Sequence, residues 1–116
     1  MLNRTALIVR PRQPFVDWVR GVEDDDVVPD AEGEQTVYLV PEVDTETDLD
    51  SVLRAIYAEI FERELDGWYT DESLWPADRT LSMFKQWFQI EYHTIIEDLC
   101  AEPLVDDELF EHDEGA

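Results

Sequence analysis

The chain has 116 residues, 30 of them Asp or Glu against eight Lys or Arg, for a formal net charge of −22 at 44% hydrophobic content. One domain of this size builds a core without disulfides or metals, and so acidic a surface repels the phosphates that dominate nucleic-acid affinity. No apolar run reaches the roughly 20 residues of a membrane span, MLNRTALIVRPRQ lacks a signal-peptide pattern, and a lone Cys100 excludes an intramolecular disulfide; a cytoplasmic protein is expected.

RTALIVR (4–10) is a β-rich run bounded by charge and reads as a strand. PFVDWVRGV (14–22) reads as a helix, with Pro14 suited to its first turn and Phe15, Trp18, Val19 and Val22 along one face. Residues 1–22 set Arg4, Arg10, Arg12 and Arg20 against Asp17 alone, a small basic island. From Glu23 to Gln35 the acids, Pro29 and Gly33 read as a connection, with Asp24, Asp25 and Asp26 concentrating negative charge. TVYLV (36–40) is the second strand; a right-handed crossover would make it parallel to the first if the two are neighbours.

Leu49, Val52, Leu53, Ile56, Tyr57, Ile60 and Phe61 recur at three- and four-residue spacing, the pattern of an amphipathic helix facing a core. Thr47 with Asp50 resembles an Asp-bearing capping box, Asp50–Arg54 and Glu59–Arg63 set acid before base on the outer face, and Gly67 is a natural stop. The preceding acids of DTETDLD (44–50) fail as a calcium loop: the sixth position is Leu49 where Gly is needed, and the twelfth is Ala55 where a bidentate Glu belongs. They suit a helix N-terminus instead.

GWYTDESLWP (67–76) crowds Trp68, Tyr69 and Trp75 into a stretch with turn signals. Such residues either anchor a long connection on the core or stand as interface contacts; anchoring is favoured, with Tyr69 the one expected to stay accessible. RTLSMFKQWF (79–88) reads as a third helix with Thr80 near its start, Leu81, Phe84 and Phe88 on one side and Trp87 opposite, a second exposed-aromatic candidate. FQIEYHTIIEDL (88–99) alternates like a strand, although Ile95, Ile96 and Leu99 also suit a helix. The 101–116 segment has seven acids and no base, and from Pro103 the chain reads as an acidic tail in which Leu104, Leu109 and Phe110 can dock.

The order β-α-β-α-α-β gives an α+β or small α/β layer of about three strands covered by helices, with residues 1–102 as one domain and 103–116 as tail. Monomer and homodimer both stay open. No phosphate-binding or catalytic motif stands out. On a strand, Glu91, His93 and Glu97 would share one face, a weak metal candidate that matches no known signature. Cys100 with His93 offers no nucleophile pair, since an acidic neighbourhood raises a thiol's pKa. No cofactor is implied.

ELDGWYTDESLWPADRTLSMFKQWFQIEYHTIIEDL (64–99), with RPRQPFVDWV near the start, resembles small acidic bacterial proteins of unknown function, through its Gly-Trp-Tyr, Leu-Trp-Pro and Trp-Phe pairs. The resemblance implies a bacterial protein and no activity.

The function expected first is a non-enzymatic module of the inhibitor, immunity or nucleic-acid-mimic kind that binds a basic protein. Its candidate contacts are Trp68, Tyr69, Trp75, Trp87 and Asp24–Asp26. A small metal-dependent enzyme or hydrolase around His93 is one alternative. A domain adapted to high salt, with no dedicated partner, is another.

Overall fold

The alternation of TALIVRP decides the centre of the molecule. Thr5, Leu7 and Val9 share one side of strand β1 (Thr5–Pro11) and are almost fully buried. In the computed structural model, which describes residues 1–22 and 35–106, β1 is the middle strand of a three-stranded sheet. Strand β2 (Thr36–Val40) flanks it on one side, placing Tyr38 opposite Leu7, and strand β3 (Phe88–His93) on the other, placing Tyr92 opposite Leu7.

Both pairings are antiparallel, which corrects the parallel β1–β2 pair expected from the crossover rule. Thr36 enters beside Val9, at the end of the sheet where β1 leaves it. Helix α1 (Gln13–Val22) follows β1; the chain re-enters the sheet at the end it left, and the rule governs only a chain that crosses back along the full strand length. The element order is strand-helix-strand-helix-helix-strand, an α+β architecture.

Helix α1 buries Phe15, Val16 and Val19. Pro14 is tolerated there because a first-turn N–H has no helical acceptor to lose. The Arg12 N–H donates to the Trp87 carbonyl at 2.8 Å, tying the start of α1 to the third helix.

Helix α2 (Glu46–Asp66) buries Leu53, Ile60, Phe61 and Leu65, with Leu49, Val52, Ile56 and Tyr57 half-buried beside them. Its cap is Thr45, not Thr47: the extended Thr45 accepts from the Asp48 N–H at 3.2 Å. Two Thr-x-x-Asp frames overlap here, each with two acids in the following turn; the fold takes the earlier one, which sets Glu46 and Asp48 near the positive end of the dipole. Glu59 pairs with Arg63 as expected, whereas Asp50 pairs with Lys85 of the third helix rather than Arg54.

Helix α3 (Leu81–Trp87) is capped by Thr80, which accepts from the Met83 N–H. Phe88 is no longer helical; its backbone is already extended as the first residue of β3. The sheet's inner face and the helices enclose Phe15, Phe61, Phe84 and Phe88, each at most 1% exposed. Phe61 lies against Phe84, Trp87 and Phe88 at centroid distances of 5.8, 5.6 and 5.4 Å. Each such ring contributes about 1.5–3 kcal/mol by leaving water. A fastening without rings is the buried Thr5 hydroxyl, which accepts from the Val43 N–H and folds residues 41–45 back onto β1.

The sheet's opposite face carries Ala6, Ile8, Val37 and Leu39, and the last two are 57% and 48% exposed. The strand expected over 88–99 stops at His93. Ile95 and Leu99 project into solvent at 71% and 96%, joining neither sheet nor helix. Of the tail residues expected to dock, Leu104 is 75% exposed, and Leu109 and Phe110 lie outside the described residues. No helix among the described residues is long and apolar enough to cross a membrane.

Candidate functional site

The 67–76 loop is held by its own large side chains. Asp71 accepts from the Ser73 N–H and hydroxyl at 3.0 and 2.7 Å, which starts a single 3-10 turn at Glu72–Leu74 and holds the Asp71 carboxyl below the usual range. Trp18 of α1 donates its indole N–H to the Leu74 carbonyl, and the Tyr69 hydroxyl donates to the Val19 carbonyl at 2.8 Å. Trp75 donates to the Tyr69 carbonyl and receives the Arg79 guanidinium over its ring at 5.7 Å. The aromatics supply what a turn lacks, apolar bulk together with a donor that satisfies loop carbonyls. Tyr69, expected to stay accessible, is half-buried and edge-on to Trp18.

Trp87 also changes role. Expected on the exposed side of its helix, it is half-buried with its ring within 5.6–6.3 Å of Phe61, Phe15 and Trp18. The expectation extended the helix through Phe88; once Phe88 belongs to β3, a helical wheel no longer sets Trp87 opposite it, and α1 covers that side.

Trp68 differs from all of these. It lies against the core, yet among the described residues its side chain makes no ring contact and no hydrogen bond. It lines a cleft of about 440 Å³ between β2 and the end of α2, together with Pro11 and Phe15. The remaining walls are Thr36 and Tyr38 of β2, and Arg63, Glu64, Asp66 and Gly67 of α2.

One Glu64 oxygen accepts from the Tyr38 hydroxyl at 2.8 Å and the Thr36 hydroxyl at 3.2 Å. Two donors on one oxygen suit a carboxylate, which only accepts. Burial, reinforced by the charge and hydrogen bond of Glu64, pushes the Tyr38 hydroxyl well above its ordinary range. Arg63 directs its guanidinium one turn back to Glu59 at 3.1 Å, so its charge is answered on the outer helix surface. Asp66 is exposed and forms no ion pair among the described residues.

Sequence reasoning missed the Tyr38–Glu64 pair, although a signal was present. Glu64 continues the stripe of Tyr57, Ile60 and Phe61 at three- and four-residue spacing, so it is an acid in an apolar position. Its partner sits on another element 26 residues away.

The remaining candidates lie elsewhere. Glu91 accepts from the His93 ring at 3.0 Å and pairs with Arg10 at 3.4 Å; the histidine bond, with help from the arginine charge, holds the Glu91 carboxyl below the usual range. Glu97 bonds the N-terminal amine instead. Among the described residues no three His, Cys, Asp or Glu side chains form a group that could hold a metal ion. Cys100 is exposed and free. Asp24, Asp25 and Asp26 lie outside the described residues. No family model, curated protein or solved structure matches the chain.

Proposed function

We propose that this chain is a non-enzymatic acidic interaction module, working in a bacterial cytoplasm, that binds a basic protein by its charged helix face and the adjoining 67–76 loop. The observation that supports this reading is helix α2. Its 21 residues carry seven carboxylates, Glu46, Asp48, Asp50, Glu59, Glu62, Glu64 and Asp66, against Arg54 and Arg63 alone. Most of these acids are exposed, and like charges one turn apart destabilise an isolated helix. A helix that keeps such repulsion on its surface favours a cationic partner, whose approach it accelerates and whose binding salt weakens.

Affinity capture from the source lysate at low and moderate salt tests the proposal, run beside a Glu59→Gln/Glu62→Gln/Asp66→Asn variant. The expected result is a recurrent basic protein, retained at low salt and lost with added salt or with the three substitutions. Retention of the same proteins by the variant at the same salt would sink the idea.

A further inference from the structure

We infer that the cleft between β2 and the end of α2 seats one arginine side chain of the basic partner. The inference rests on the interaction-module reading and goes further by naming the chemistry that the module recognises.

Four features select this ligand. Pro11 and Phe15 are among the residues that line the cleft, apolar neighbours for a three-carbon stem. Its side wall is the Trp68 indole, which has no ring partner among the described residues, and a planar guanidinium stacks on such a surface. Its lining includes the exposed Asp66, for which the fold supplies no cation among the described residues. The cleft also opens at the C-terminal end of a 21-residue helix, where the negative end of the dipole favours a positive group. Asp66 sits where the dipole alone would disfavour an acid, and a bound cation relieves that cost. Arg63, the only cation lining the cleft among the described residues, is bonded to Glu59. The hydroxyls of Tyr38 and Thr36 are committed to Glu64, which fixes the β2 wall before any ligand arrives.

The loop supplies the rigidity that such a seat needs. Trp68 is flanked by Gly67, the last cap of α2, and by Tyr69, whose hydroxyl is bonded to α1. The backbone on both sides of Trp68 is therefore fixed, and among the described residues the indole has no ring partner.

The test titrates the protein with a hexa-arginine peptide, with hexa-lysine for comparison, and follows backbone and indole N–H shifts by NMR. The largest shifts are expected at the Trp68 indole, Gly67 and Tyr38, and hexa-arginine should bind more tightly than hexa-lysine. Trp68→Ala should weaken hexa-arginine about fivefold or more through loss of the cation–π contact. Asp66→Asn, an exposed change that leaves the fold intact, should weaken it about threefold. Glu46→Gln/Asp48→Asn removes two charges at the far end of the same helix and should matter less than either. Binding with shifts spread over the whole of α2, and equal losses in all three variants, would overturn the cleft as the seat while leaving an acidic module standing. No binding of either cationic peptide would overturn both readings.

Discussion

Trp68 and Trp75 stand seven residues apart on one loop, and the fold uses them in opposite ways. Trp75 donates its indole N–H to a loop carbonyl and carries Arg79 over its ring, whereas the Trp68 side chain has neither kind of partner among the described residues and lines a cleft that Asp66 also lines. Composition treats the two alike. What separates a structural aromatic from an available one is whether its polar handle and its ring are already answered within the chain.

The comparison breaks most visibly in the core. Phe61→Ala empties a fully buried site between three rings and should cost about 3–5 kcal/mol. Urea unfolding would register this as a large fall in midpoint; a loss below that of a loop residue would mean that the aromatic cluster is not the core.

The loop pair sharpens it. Trp75→Ala removes a half-buried ring, a hydrogen bond and a cation–π contact, and about 2 kcal/mol is expected. Trp68→Ala should cost about 1 kcal/mol or less, since only partial burial is lost. Equal costs in parallel melts would erase the distinction. Tyr69→Phe keeps the ring and deletes the hydroxyl bonded to Val19, for about 1 kcal/mol; an unchanged melting temperature would show that this bond does not hold the loop.

The smallest expected effect is a pH dependence. Burial first, then the charge and hydrogen bond of Glu64, raise the Tyr38 hydroxyl above its ordinary value of 10.0. The folded protein thus keeps a proton that the unfolded chain releases, so this contribution is whole below pH 10.0 and is lost as the pH climbs beyond it. Glu64→Gln removes part of the cause and should flatten that alkaline loss. Denaturation midpoints on either side of pH 10.0 check this: the same slope in both proteins would show that the pair is not coupled.

Elements governed by local sequence were legible: α2 by its stripe, α3 by Thr80, β1 as a β-rich run bounded by charge and β3 by alternation. Features that depend on where another element arrives were not. Antiparallel pairing of β1 with β2 follows from the end at which Thr36 re-enters, and Trp87 is covered because α1 lies across it. Thr45 rather than Thr47 caps α2, a choice between two equivalent local signals. The cleft was least legible, because Trp68, Tyr38 and Glu64 come from three separate stretches and only Trp68 stands out by local composition.

The most direct test of the account is quenching of tryptophan fluorescence by caesium and by iodide, in the native protein and in Trp68→Phe and Trp75→Phe. A negative cleft with an open indole predicts that caesium quenches a component which iodide reaches poorly, and that Trp68→Phe removes this component while Trp75→Phe keeps it. If iodide quenches at least as well as caesium, or if Trp75→Phe is the substitution that abolishes the component, the assignment of Trp68 to an open acidic cleft is wrong.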